Sequence, residues 1–176
     1  LGDPRVAVAW DGALWFAGFT NYGEVHGSQV DASGTVTAAS PFTITTGNFY
    51  ANDATAANGS GRALLGWTHG GPGIPYNIDP FDVFAAEISP AGATAPYPLT
   101  ISPPAQVFPA VAGDATSGYL VAFQSRSTGS VQVVAQRFAQ NGAPLDAQPL
   151  VLATGGSTIG GTLDVAFDGA QWLVVW

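Results

Sequence analysis

"VAVAWDGALWFAGF" at residues 6–19 and "LDVAFDGAQWLVVW" at residues 163–176 are two versions of one phrase. Each has a short alternating run, an Asp-Gly pair, and a second apolar run that closes on an aromatic. Two looser versions lie between them, "DATAANGSGRALLGW" at 53–67 and "PAVAGDATSGYLVAF" at 109–123. The closing aromatics are Phe19, Trp67, Phe123 and Trp176, spaced by 48, 56 and 53 residues. Alternation with a period of two marks a strand with one face buried. Asp11-Gly12, Asn58-Gly59 and Asp168-Gly169 suit the positive φ angles of tight hairpin turns, and the third copy uses the longer "GDATSG" instead. Each phrase therefore predicts two antiparallel strands joined by a turn.

A second phrase follows the first three copies: "EVHGSQVDASGTV" at 24–36, "DVFAAEISPAGAT" at 82–94 and "VQVVAQRFAQNGAP" at 131–144. Each alternates, then turns at Gly34, Gly92 or Gly142, and leads into an extended run: "SPFTIT", "YPLTIS" or "QPLVLA". No helical period is sustained, and Gly and Pro, about a fifth of the chain, would interrupt helices. Four strands in up-and-down order, repeated in this way, predict an all-β chain folded as a β-propeller. Three four-stranded antiparallel blades are expected at about 4–48, 51–104 and 107–155, with the first half of a fourth at 162–176, in a single region spanning 1–176. Small apolar runs such as "VAVA" and "ATAA" suit inner strands, where blades crowd, and the closing aromatics suit the wider space between blades. A β-sandwich is the competing fold, but it gives no reason for the phrase to recur.

The stretch "GYLVAFQSRSTGSVQVVAQRFAQNGAPLDAQPLVLA" at 118–153 resembles the blade-type repeats of bacterial extracellular β-propeller-like proteins. The second unit departs most from that pattern, with a long insertion and no Gln-Arg pair. The resemblance implies an extracellular or cell-surface, propeller-like module and carries no catalytic motif with it. Three and a half units do not close a ring, so an incomplete portion of a larger propeller is expected. The last strand would then offer Gln171, Leu173 and Val175 as an interaction edge.

Composition narrows the function classes. Four arginines and no lysine stand against twelve acids, a formal charge of −8. That is a poor footprint for nucleic acid or an anionic membrane surface. No run of about 18 apolar residues is present to cross a bilayer as a helix. Cysteine is absent, which removes disulfides and thiolate metal sites. No cofactor motif, nucleophile elbow or His-Glu-x-x-His pattern occurs, and no cofactor is expected.

The longest irregular stretch, "THGGPGIPYNIDPFD" at 68–82, joins the second and third strands of the second unit. It holds His69, Tyr76, Asn77, Asp79 and Asp82, which make a candidate ligand site: imidazole and carboxylates for a cation, an aromatic beside an amide for a sugar. No known metal-loop spacing is matched, so no metal is assigned. Asp11 and Asp168 read as turn formers, because Asp and Gly are adjacent and the spacing of a sialidase Asp-box fails. Arg137 beside Gln136 is expected to bond a neighbouring blade. His26 reads as a half-exposed sheet residue, Asn58 in "NGS" as a turn former that also fits a glycosylation acceptor, and Asp164 as the one acid set firmly on an inner strand. The function expected is a non-catalytic extracellular scaffold that binds a protein or glycan partner, or the rest of a larger assembly. The alternative is the propeller portion of a secreted glycan-active hydrolase or lyase, its catalytic residues lying largely outside this chain.

Overall fold

A computed structural model describes residues 5–21, 23–37, 41–47, 50–59, 61–71, 81–99, 105–114, 116–127, 129–155 and 161–176. These residues form an all-β chain with no helix and several antiparallel sheets. The first sheet is β1 (Arg5–Trp10), β2 (Leu14–Asn21), β3 (Glu24–Asp31) and β4 (Phe42–Thr46), paired in chain order. The second is β5 (Tyr50–Gly59), β6 (Arg62–Gly70) and β7 (Phe81–Ser89), with β8 (Gly92–Ala93) and β9 (Tyr97–Pro98) both paired to β7 in the place of a fourth strand. The third is β10 (Ala105–Asp114), β11 (Gly118–Ser127), β12 (Ser130–Phe138) and β13 (Leu150–Gly155). The fourth is the hairpin β14 (Asp164–Phe167) and β15 (Trp172–Val175). The first strands contact one another in series, β1 with β5, β5 with β10 and β10 with β14, and the sheets do not close a ring.

The turns follow from local chemistry. Asp11 Oδ1 accepts from the backbone N–H groups of Ala13 (2.8 Å) and Leu14 (2.7 Å), and Asp168 Oδ1 does the same for Ala170 (2.8 Å) and Gln171 (2.7 Å). Gly12 and Gly169 follow with φ of 101° and 102°, a region that costs other residues about 1–2 kcal/mol. The second copy differs from the expected Asn58-Gly59 turn. Asn58 and Gly59 pair with Ala63 and Arg62 inside the ladder, and the positive φ of 70° falls on Gly61. The turn is thus displaced two residues along the chain, because "GSG" offers a second glycine that lets the ladder extend. Gly34, Gly92 and Gly142 turn with positive φ, as their positions in the second phrase predict.

Alternation gives every sheet two apolar faces, and each interface joins the back of one sheet to the front of the next. Ala63, Leu65 and Trp67 on the front of the second sheet pack with Ala9, Phe16 and Val25 of the first. Leu64 on its back joins Tyr119, Val121 and Phe123 of the third. Leu120 and Ala122 on the back of the third meet Leu163 and Val165, with Trp172 and Val174 packed against them. The closing aromatics Trp67 and Phe123 are fully buried between sheets. First strands approach so closely that a Cβ on Gly113 would lie 1.7 Å from the carbonyl oxygen of Asn58.

Polar groups caught between sheets are mostly paired. The Thr55 hydroxyl accepts from the backbone N–H of Val111 (3.2 Å), and that of Thr68 accepts from Phe108 (3.2 Å). Gln124 donates to the carbonyl of Gly161 (2.8 Å), and Gln29 donates to the carbonyl of Ser89. Glu87, 7% exposed, meets the Arg62 guanidinium at 2.6 Å. Burial, and secondarily the Glu87 charge, pushes the Tyr97 phenol up to about 12 and raises Tyr119 as well. Arg137 departs from expectation. It forks onto Asp146 of its own sheet's β12–β13 connection (2.5–3.2 Å), while Gln136 donates to the Asp146 carbonyl (3.2 Å). The carboxylate nine residues ahead takes the guanidinium, so the arginine clamps its own loop.

Truncating a closing aromatic tests the stacking. Trp67→Ala is expected to cost about 3–5 kcal/mol in urea unfolding, against less than about 1 kcal/mol for Trp176→Ala, whose side chain is 57% exposed.

Candidate functional site

Residues of all four first strands line a cleft of about 180 Å³. It is lined by Arg5 from β1, Ala54 and Thr55 from β5, Phe108, Pro109 and Ala110 from β10, and Thr162, Leu163 and Asp164 at β14. The repeat explains the set. Aligned on the turns, Thr55, Ala110 and Asp164 occupy one repeat position, and Ala54, Pro109 and Leu163 the position before it. One strand of each sheet thus delivers the same short segment to a common centre.

Two irregularities shape this cleft. Register shifts interrupt β5 between Asn52 and Thr55, and β10 between Val107 and Ala110. Such bulges bend a strand and re-aim its residues. Within the second bulge Phe108 has φ of 55°, the one non-glycine residue with positive φ among the described residues. A bulky residue there stores backbone strain of about 1–3 kcal/mol. The Thr68 hydroxyl holds the Phe108 N–H, and the Arg126 guanidinium lies 4.9 Å above the Phe108 ring. Arg126 in turn donates twice to the side-chain oxygen of Gln124, at 2.8 and 3.1 Å. These contacts hold Phe108 in place at the cleft wall.

Chemically, the cleft offers a guanidinium, a carboxylate, two threonine hydroxyls and an aromatic ring. Asp164 is the sole carboxylate among the described lining residues, and its Oδ1 accepts from the Val165 N–H (2.9 Å). Among the described residues no three His, Cys, Asp or Glu side chains gather to hold a metal ion.

The loop residues singled out from sequence divide. Tyr76, Asn77 and Asp79 lie outside the described residues. His69 and Asp82 stand opposite one another as register partners of β6 and β7. The His69 ring stacks on Phe84 with centroids 4.4 Å apart, and burial lowers its pKa below 6.5. Both sit at the end of the second sheet where β5 begins. His26 is half-buried, bonded to Glu24 (3.0 Å) and stacked on Phe19. Gln171 is exposed at the turn, while Leu173 and Val175 are 61% and 48% exposed on β15. Sequence reasoning singled out Asp164 but missed Arg5, Thr55, Phe108 and Thr162. A usable signal was present: polar or bulky residues recur just ahead of each small apolar run, in "PRVA", "DATA", "FPAV" and "TLDV".

No protein-family profile matches the chain, and no curated protein sequence matches it. Among solved structures it is similar to the α-L-arabinofuranosidase from Lactobacillus brevis, with a TM-score of 0.53 and 15% identity. The likeness covers 96% of this chain and 63% of that one, so this chain spans under two thirds of the arabinofuranosidase's length. At such identity the likeness is one of fold.

A titration checks the environment of His69. The fold holds the imidazole neutral below its ordinary 6.5, whereas the unfolded chain takes up a proton there. Stability should therefore fall as pH drops from 6.5 toward the folded-state pKa, and His69→Gln should flatten that part of the profile in urea titrations.

Proposed function

We propose that this chain is a segment of an extracellular β-propeller, its sheets serving as blades, and that it binds a glycan without cleaving it. The observation that carries this reading is the convergence of Arg5, Thr55, Phe108, Thr162 and Asp164 on one small cleft at the centre of the sheet array. Sugars present hydroxyl groups that both donate and accept. A guanidinium supplies donors only, a carboxylate acceptors only, and threonine hydroxyls both. An aromatic wall suits the apolar face of a sugar ring. At about 180 Å³ the cleft suits a single ring better than a long chain segment. Cleavage of a glycosidic bond in most families uses two carboxyl groups flanking it, and one carboxylate is described here. An acidic, lysine-free composition supports an extracellular or cell-surface setting with a neutral partner rather than a polyanion.

A second reading, a portion of a glycan-active hydrolase, rests on the fold likeness to an arabinofuranosidase. Titration calorimetry with arabinose, xylose, galactose and their oligosaccharides separates the two. Binding is expected to weaken at least about tenfold in Arg5→Ala and Asp164→Asn, the loss of one charged hydrogen bond each. Release of free sugar from an aryl α-L-arabinofuranoside, abolished by Asp164→Asn, would instead establish the hydrolase. Failure of every sugar to bind or react would overturn both.

A further inference from the structure

The residue that follows the closing aromatic is polar and fully buried in three sheets. It is Thr20 in the first, Thr68 in the second and Gln124 in the third, each 0% exposed. Two of these side chains reach across to the next sheet. The Thr68 hydroxyl accepts from the N–H of Phe108 (3.2 Å), and the Gln124 amide donates to the carbonyl of Gly161 (2.8 Å). Counted back from Ala110 and Asp164, which share a repeat position, Phe108 and Thr162 share one too. Both bonds therefore fall on the same peptide unit of the repeat, Val107–Phe108 in the third sheet and Gly161–Thr162 ahead of the fourth. Each holds the backbone directly before a residue that lines the cleft. The hydroxyl of Thr20, by contrast, has no hydrogen-bond partner among the described residues.

Gln124 makes a further connection that Thr68 does not. Its side-chain oxygen accepts from Arg126 Nη2 (2.8 Å) and Nε (3.1 Å), and Arg126 covers the Phe108 ring at 4.9 Å. One buried amide is thus tied to two segments, to Phe108 through Arg126 and to Thr162 through the Gly161 carbonyl. Those segments, 108–110 and 162–164, supply six of the nine described lining residues, so the tie bears on most of the cleft wall. The chemistry is specific to an amide. A guanidinium only donates and a carbonyl only accepts, so the group between them must accept on one side and donate on the other. A carboxylate would serve the arginine and repel the carbonyl. Leucine, of similar volume, would serve neither and would leave buried polar groups unpaired.

We propose that Gln124, buried behind the wall, is a positioning residue of the cleft: it sets the spacing of the 108–110 and 162–164 segments, and with it the width offered to a sugar ring. This rests on the glycan-binding reading of the cleft and adds a specificity-determining residue to it. A site is selective when the residues that touch the ligand are locked by others behind them. Loosening the tie lets the two segments part. A pentose and a hexose that differ by one hydroxymethyl group are then told apart less well.

Xylose and glucose are such a pair, and calorimetric titration of both against the native chain and its variants tests the proposal. Gln124→Leu is expected to weaken the tighter sugar at least about fivefold and to bring the ratio of the two affinities toward one. Thr20→Val, at the same repeat position but with no bond to lose, should leave both affinities unchanged. Two variants separate the arms of the tie: Gln124→Glu keeps Arg126 and loses the Gly161 carbonyl, and Arg126→Leu does the reverse. Should Gln124→Leu fail to fold, these two carry the same titrations. Carbon and proton NMR reads the tie with no sugar present. The Gly161 carbonyl and Phe108 ring resonances should both move in Gln124→Leu, the carbonyl alone in Gln124→Glu, and the ring alone in Arg126→Leu. Native affinities and ratio in Gln124→Leu, or equal affinity of the native chain for the two sugars, would overturn the proposal while leaving the glycan reading intact. A native chain that binds neither sugar would count against the glycan reading, and the resonances alone would then judge the tie: both moving in Gln124→Leu supports it, and either staying fixed overturns it.

Discussion

The close approach of first strands from adjoining sheets is the constraint on which the rest of this structure depends. At one repeat position all four first strands carry alanine, Ala9, Ala57, Ala112 and Ala166, and the first three of these face the following sheet. One residue further along β10, Gly113 lies so near the Asn58 carbonyl that no side chain fits. Small residues there let the sheets draw together at one edge, while Phe16, Trp67, Tyr119 and Phe123 fill the space that opens away from it. A taper of this kind needs side chains graded in size along each sheet, and the alternating runs supply that grading. Apolar burial then stabilises the array in proportion to the area each pair of faces removes from water.

That same convergence makes the cleft. Because the first strands pack side by side, short segments far apart in sequence share one small volume. The bulges in β5 and β10 interrupt regular pairing there, and the strained Phe108 is held by Thr68 and Arg126. Regular ladders would leave the side chains at these positions committed to inter-sheet packing. Broken ladders free them to line an opening. The site is therefore a by-product of the same crowding that builds the core, shaped locally by two irregular strands.

Much of the architecture was legible in the sequence because it is encoded locally. Strand alternation, the Asp11 and Asp168 turns, and the glycines at 34, 92 and 142 each depend on a few adjacent residues. The repeat of those signals gave strand order and the placing of Trp67 and Phe123 between sheets. What was not legible depended on choices between near-equal local options or on distant partners. "NGSG" contains two possible turns, and only pairing with β6 decides for Gly61. Arg137 could bond in several directions, and the position of Asp146 decides. The cleft residues are scattered over 160 positions and are unremarkable one by one; a bulge two residues long brings Phe108 to the wall. Tyr76, Asn77 and Asp79 drew attention by composition, while the residues that line the described cleft did so by topology.

The front-to-back packing has an evolutionary corollary. Every sheet offers its two neighbours the same pair of faces, so copying one unit of the coding sequence in tandem inserts a sheet that meets contacts of a kind already present. Chain length can then change by whole units while packing stays solved. What would have to be reinvented after such a change is the central opening, whose outline is set by how many strands surround it.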